Sequence, residues 1–107
     1  MSYVYLLCDE DKNGVYKIGA TRGSVENRIK SLQTGNSGNI RLISKHETKH
    51  PFLIETMLHN KYSNKRVLNE WFELNEQDVI GFINECKNLE VILESLKDNH
   101  FFKKKLS

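Results

Sequence analysis

The sequence contains little cysteine and no long apolar run. Its two cysteines, Cys8 and Cys86, lack Cys-x-x-Cys spacing, which argues against a disulfide framework or a zinc knuckle and suits a reducing compartment. No apolar run approaches the roughly 20 residues that a membrane span needs. The N-terminus lacks a basic region before its short apolar stretch, so we expect no signal peptide and no membrane partner. These absences predict an intracellular protein of the cytoplasm or the nucleus.

What the sequence does contain is typical of a globular domain. Of its 107 residues, 38% are hydrophobic and 28% are charged, a balance that favours a folded chain over a disordered one. The chain has no internal repeat and no linker-like segment. We therefore predict one α+β domain over residues 1–98, with its core motifs in residues 3–74 and C-terminal helices in residues 76–98, followed by a basic tail over residues 99–107.

Charge is distributed unevenly along the chain, although the net charge is only +2. Residues 40–70 carry six Lys/Arg and three Asp/Glu, whereas residues 71–98 carry two Lys/Arg and seven Asp/Glu. The front of the chain, rather than the acidic segment, would therefore meet a polyanion. Charges that are simply solvated would give the same distribution, so charge alone leaves both interpretations open.

The first part of the sequence predicts a β-hairpin. Residues 3–8 are rich in aromatic and branched side chains, an Asn-Gly turn signal follows, and Val15–Thr21 forms the returning strand. Because side chains alternate along a strand, Lys17 and Gly19 share one face and Tyr16 lies on the other.

A helix follows the hairpin and carries one arginine on its flank. Ser24 is a good N-cap, and Gly35 can end the helix. The apolar stripe of this helix consists of Val25, Ile29 and Leu32. Arg28 lies beside the stripe. An arginine there is most often a surface charge, but the position can also aim the guanidinium back at the hairpin.

The remainder of the chain predicts one more strand and further helices. Residues 39–48 form the third strand of a small mixed or antiparallel three-stranded sheet, and Pro51 begins the second helix. Residues 67–74 form a short extended segment. Residues 76–98 are helical, with a predicted break near residues 87–88.

The second helix contains an acid in an apolar context, Glu55 in PFLIETML. A buried carboxylate is costly unless it is paired or bound to a metal, so Glu55 is either a structural partner of a lysine or His59, or a metal ligand. Arginine suits phosphate because its planar fork binds two oxygens at once. Tyrosine or lysine can transfer protons when the environment lowers its pKa. These residue types are the parts that phosphodiester cleavage needs.

Taken in order, these motifs resemble the GIY-YIG nuclease superfamily, and most closely its T5orf172-type branch. The resemblance rests on Tyr-Val-Tyr, then Tyr-Lys-Ile-Gly-x-Thr, then an arginine in the next helix, then IETMLHNKY and NEWFEL. It spans about residues 3–74 and implies a small sheet flanked by helices.

The resemblance also implies roles for individual residues. Tyr5 takes the position of the first-motif tyrosine, Glu55 that of the metal ligand and Asn69 that of a later asparagine. Arg28 takes the position of the phosphate-binding arginine. The substrate-binding residues implied are Gly19, Thr21 and Arg28.

Three positions depart from the superfamily pattern. The glycine position of the first motif holds Tyr3. The second-motif tyrosine is replaced by Lys17, and Tyr16 is shifted by one place onto the opposite face of the strand. Either Lys17 takes a proton-transfer or water-orienting role, or a bulge turns Tyr16 inward. Leu32 stands where many members have a histidine or tyrosine, and His59, one turn after Glu55, would compensate.

The resemblance implies a metal-dependent endonuclease that hydrolyses phosphodiester bonds in DNA, or in RNA, with Mg²⁺ or Mn²⁺ as cofactor and the option of a homodimer. The implied catalytic residues are Tyr5, Tyr16, Lys17, Arg28, His59 and Asn69. The alternative is a nucleic-acid-binding module of the same fold with weak or no cleavage, and a third option is an interaction adaptor that uses residues 76–98. Trp71 and Phe72 would belong to the core, or else stack on bases.

Overall fold

The computed structural model describes residues 1–96, and the tail predicted over residues 99–107 lies outside the described residues. Residues 1–96 form five β-strands and four α-helices, which confirms the predicted α+β class. The strands are β1 (Tyr3–Asp9), β2 (Val15–Thr21), β3 (Ile40–Glu47), β4 (Arg66–Leu68) and β5 (Trp71–Glu73). The helices are α1 (Val25–Thr34), α2 (Pro51–Lys61), α3 (Glu76–Ile80) and α4 (Phe82–Leu96), with a 3₁₀ turn at Ser63–Lys65.

The five strands form one antiparallel sheet in the order β3-β1-β2-β5-β4. The prediction of three strands is therefore wrong. The segment predicted as one extended piece instead turns back at Asn69, whose φ of 52° lies in the left-handed region that asparagine tolerates. The resulting β4–β5 hairpin pairs with the first half of β2, from Val15 to Lys17.

Apolar side chains cover both faces of the sheet. The larger core lies on the side of α2 and α4, and its buried residues include Val4, Leu6, Ile18, Ile54, Leu58, Phe72 and Phe82. The smaller core lies on the side of α1, where Tyr5, Leu7, Val25 and Ile40 are buried against Ile29, Leu32 and Trp71. The alternation along β1 assigns each residue to its face, as period-two strand geometry requires.

The ends of α1 are where the sequence predicts them, but the break between the C-terminal helices is not. Ser24 caps α1 by accepting a hydrogen bond from the Asn27 N–H at 3.1 Å, and Gly35 ends the helix, as predicted. The predicted break near residues 87–88 is wrong, because α4 runs through these residues. The helical segment is instead interrupted at Gly81, the poorest helix former within it. Within residues 1–96, no helix has both the length and the apolar character needed to cross a membrane.

The LQTGN stretch, residues 32–36 at the C-terminal end of α1, connects the loop before β3 to the end of β1 through hydrogen bonds. The Asn36 side-chain amide donates a hydrogen bond to the buried Asp9 carboxylate at 3.0 Å, and the Asp11 N–H donates to its other oxygen at 2.9 Å. These hydrogen bonds, that from Asn36 first, lower the pKa of Asp9. Gln33 accepts from the Ile40 N–H at 2.8 Å, which fixes the start of β3.

Candidate functional site

Tyr5 lies in the middle of the sheet, on the face covered by α1. It pairs in register with Gly19 of β2 and is only 1% exposed. A Cβ atom at position 19 would lie 2.5 Å from Tyr5 Cζ and Oη, closer than a side chain can approach. Glycine is therefore required at position 19 because the tyrosine ring occupies the space above it.

The side chain of Arg28 extends from α1 to the hydroxyl of Tyr5 and lies close enough to interact with it. Burial raises the pKa of Tyr5, and the nearby positive charge of Arg28 opposes the rise without cancelling it. The phenol therefore keeps its proton at neutral pH. Arg28 itself is an exposed residue, so it interacts with Tyr5 while remaining accessible to solvent.

Lys17 faces the same side of the sheet as Tyr5 and Gly19, and it is only 8% exposed. Its Nζ lies 3.0 Å from Glu70 Oε1 and 5.7 Å from the centre of the Trp71 ring. The β1–β2 register is regular through position 16, with no bulge, and Tyr16 packs against the larger core on the opposite face. Of the two alternatives, the structure thus directs Lys17 toward Tyr5 and directs Tyr16 away.

Glu55 reaches the same group of charges from α2. Its side chain is only 16% exposed, and burial, together with the negative charge of Glu70, raises its pKa to about 7. The positive charges of Lys17 and Arg28 act in the opposite direction. Glu55 therefore lies close enough to Lys17, Arg28 and Glu70 for their charges to act on it.

His59 lies one turn after Glu55 and joins α2 to β2. Its Nε2–H donates a hydrogen bond to the Ile18 carbonyl oxygen at 2.9 Å, and its ring centre is 5.0 Å from that of Phe72. The same nitrogen is 4.0 Å from a carboxylate oxygen of Glu55. Because a carbonyl oxygen can only accept, Nε2 carries a proton here, and the ring holds the helix at a fixed distance from the strand.

Glu70 is the site residue that the sequence did not reveal. It follows Asn69 in the β4–β5 turn, pairs with Lys17, and contributes to the electrostatic environment of Tyr5 and Glu55. The only available signal was its place before Trp71 in NEWFEL, and using it requires knowing that Trp71 pairs in register with Lys17. Asn69 itself is an exposed turn residue.

Thr21 ends β2 and is half-buried, on the same face as Lys17 and Gly19 by alternation. On this α1 side of the sheet, a cavity of about 300 Å³ opens beside Lys17 and Trp71. Its other lining residues are Ser31, Leu32, Gly35, Asn36 and Ile40. This cavity is thus bordered by a cation and a half-buried indole.

The family model of the T5orf172 domain matches residues 2–87. The chain belongs to the T5orf172 domain family. No curated protein and no solved structure matches the chain significantly. The T5orf172-type resemblance predicted from the sequence is confirmed, and membership is consistent with a nuclease-like or nucleic-acid-binding module.

Proposed function

We propose that this T5orf172 domain is a metal-dependent endonuclease that hydrolyses phosphodiester bonds in DNA, or else in RNA, with a GIY-YIG-type catalytic centre. The proposal rests on Tyr5, Arg28 and Glu55, which come from a strand and two different helices and lie close enough for their charges to interact. Phosphodiester cleavage needs a phosphate-binding cation, a group that orients water and a carboxylate for a metal.

Arg28 would bind the scissile phosphate. Its guanidinium is permanently charged and offers donors in a planar fork that matches two phosphate oxygens. The interaction with the Tyr5 hydroxyl would orient the fork before substrate arrives, which would lower the entropy cost of binding.

The Tyr5 hydroxyl and the Lys17 ammonium would orient the attacking water. The raised pKa of Tyr5 keeps its hydroxyl protonated at neutral pH, so a role as general base would become stronger with increasing pH. Lys17 is held in place by Glu70 at 3.0 Å. We assign His59 a positioning role, because its Nε2–H is bonded to the Ile18 carbonyl.

Glu55 would hold Mg²⁺ or Mn²⁺. The fit is supported by a half-buried carboxylate beside a second acid, Glu70, an environment in which a proton or a divalent cation is favoured. Mg²⁺ typically takes one or two protein carboxylates and keeps several waters. When bound, such an ion would stabilise the negative charge that develops on the leaving oxygen.

Plasmid nicking in the presence of Mg²⁺ or Mn²⁺ tests the proposal. We expect the wild-type chain to nick the plasmid, and Arg28→Ala or Glu55→Gln to reduce the rate by about 100-fold or more, as removal of a charge-stabilising group does. Arg41→Ala is the matched control, because Arg41 is an exposed arginine on β3 that pairs only loosely, at 4.0 Å, with Glu10. No wild-type nicking with either metal, or equal rates in all variants, would contradict the proposal.

A second candidate function is nucleic-acid binding without cleavage. It is favoured by Lys17, which lies where the superfamily has its second tyrosine and is held in an ion pair. Binding to a labelled DNA or RNA duplex would then fall steeply between about 50 and 200 mM salt. Salt-dependent binding that Arg28→Ala weakens, with no nicking at any metal concentration, would favour this function over the first.

A further inference from the structure

A second group of polar side chains lies where the end of β3 and the start of α2 meet α4. Its members are His46, His50, Glu90 and Glu94. His46 Nε2 is 3.1 Å from Glu90 Oε1. His50 Nε2 is 3.2 Å from Glu94 Oε1. None of these four residues contributes to the site around Tyr5.

The spacing of this group places four metal-ligating side chains together. The two acids are one turn apart on α4, so they project from the same side of the helix. The two histidines are also four positions apart, and each is only 13% exposed in its side chain. A cavity of about 460 Å³ opens beside His46, Glu90 and Glu94, which gives an ion a path of entry.

We propose that His50, Glu90 and Glu94 bind Zn²⁺. One ligand atom from each residue lies within 4.8 Å of the others, and within residues 1–96 these three residues are the group that meets this spacing. Two ligands of one tetrahedral zinc ion are roughly 3.3 Å apart, given zinc–ligand distances of about 2.0–2.1 Å. The His50 and Glu94 atoms are already at 3.2 Å, so binding requires only a small movement of Glu90.

The donor types and the surroundings favour zinc. Imidazole nitrogen and carboxylate oxygen are both common zinc ligands, and three protein ligands leave one position for water. His46 donates a hydrogen bond to Glu90 and would orient that ligand from outside the coordination sphere. The charge of the ion would also offset those of the two partly buried carboxylates, whose side chains are 23% and 35% exposed.

Bound zinc would fasten α4 to the β3–α2 connection. His50 directly precedes Pro51 at the start of α2, and both acids lie on α4. The proposed ion is independent of the proposed nuclease activity, because its ligands and Glu55 are different residues.

Zinc titration of the untagged, chelator-treated chain tests the proposal. A tag must be absent because the cavity is bordered by Met1 and Ser2. We expect one equivalent of Zn²⁺ to bind the wild type at this site. Glu55→Gln should bind the same equivalent, because it removes only the proposed metal ligand of the nuclease-type site and leaves His50, Glu90 and Glu94 unchanged. His50→Ala and Glu94→Gln should bind Zn²⁺ at least about 100-fold more weakly, and His46→Ala about 10- to 100-fold more weakly. Glu76→Gln, an exposed acid on α3, should bind as the wild type does.

Thermal stability and Co²⁺ absorption also report on the proposed zinc site, and both can be measured on the wild type if a variant folds poorly. Zn²⁺ at 100 times its dissociation constant should raise the Tm of the wild type by about 10 °C, with no rise for Glu94→Gln. Co²⁺ should give the intense visible absorption of a tetrahedral site only when His50 and Glu94 are present. Absence of zinc binding in the wild type, or equal binding by Glu94→Gln, would overturn the proposal. Binding that is lost in Glu55→Gln instead would also overturn it and would assign the ion to the nuclease-type site.

Discussion

The contact between Tyr5 and Gly19 leaves no room for a methyl group on β2. Gly19→Ala should push the tyrosine ring out of its position and away from Arg28, because a Cβ atom would lie 2.5 Å from the phenol. We expect a loss of about 1–3 kcal/mol in the free energy of unfolding, together with a fall in nicking rate. Urea denaturation and the nicking assay measure the two effects.

Gly23→Ala is the control for this change, since no atom lies within 4 Å of a Cβ at position 23. If Gly19→Ala unfolds at the same urea concentration as Gly23→Ala and retains its nicking rate, the tight contact between Tyr5 and Gly19 has no consequence.

The protonation of Glu55 predicts a pH dependence for metal binding. Its pKa is raised to about 7, chiefly by burial, so below pH 7 a metal ion must displace a proton. Mn²⁺ affinity at this residue should therefore fall by about tenfold between pH 8 and pH 6. Isothermal titration in a His50→Ala background isolates this residue from the proposed zinc ligands.

The direction of the pH effect is specific to a carboxylate with a raised pKa. An ordinary exposed acid is fully ionised at both pH values and would show no such change. An Mn²⁺ affinity that does not vary between pH 6 and pH 8, or that survives Glu55→Gln, contradicts the assignment of Glu55 as the ligand.

At the scale of elements, the sequence was informative where local chemistry decides the structure. The limits of β2, the Ser24 cap and the proline start of α2 follow from nearest-neighbour preferences, and the structure has all three. The face of Lys17 follows from strand alternation.

Elements that depend on long-range pairing were not predictable. The strands β4 and β5 have only three residues each, too few for a periodic pattern, and they exist because the edge of β2 offers them a partner. The role of Glu70 depends on the same pairing. The apolar stripe of the C-terminal helix changes face near residues 87–88, which predicts a break there. Phe82, Cys86 and Leu93 nevertheless pack in one core, and α4 is continuous.

Asn69 lies in the turn between β4 and β5, where substitutions can separate a conformational role of this residue from a chemical one. Its φ of 52° is tolerated by glycine and asparagine and costs other residues about 1–2 kcal/mol. We expect Asn69→Gly to keep both stability and nicking, and Asn69→Ala to lose about 1 kcal/mol in the free energy of unfolding. Urea denaturation and nicking are measured on both variants. If Asn69→Gly is fully folded but does not nick, the amide itself takes part in the reaction.

At the scale of the whole molecule, the acidic C-terminal segment neutralises part of the basic middle segment. Lys61 Nζ is 2.8 Å from Glu85 Oε2, and Lys65 Nζ is 2.6 Å from Asp78 Oδ2. These lysines are therefore engaged within the chain. If the chain binds a polyanion, as proposed, the attraction would depend more on cations outside these pairs, such as Arg28, than the charge count of residues 40–70 alone suggests.

The two cores make separate contributions to stability and to the site. Phe82 is fully buried in the larger core, on the face away from Tyr5. Phe82→Ala should lower the free energy of unfolding by about 3–5 kcal/mol. Ile80→Ala, at a position that is 74% exposed, should change it by less than about 0.5 kcal/mol. Urea denaturation of both variants checks this, and equal midpoints would contradict it.

The hydrogen bond from His59 to Ile18 has a consequence for the behaviour of the chain in a crowded solution. The β5 strand covers β2 only as far as Lys17, so the outward peptide groups of Ile18 would be the start of an open edge. The Ile18 N–H donates a hydrogen bond to the Glu70 carbonyl oxygen at 3.1 Å, and His59 donates one to the Ile18 carbonyl oxygen. An exposed strand edge can recruit a strand from another chain. Because the His59 imidazole and the Glu70 carbonyl occupy both backbone polar groups of Ile18, a strand from another chain finds no free hydrogen-bonding group at this residue.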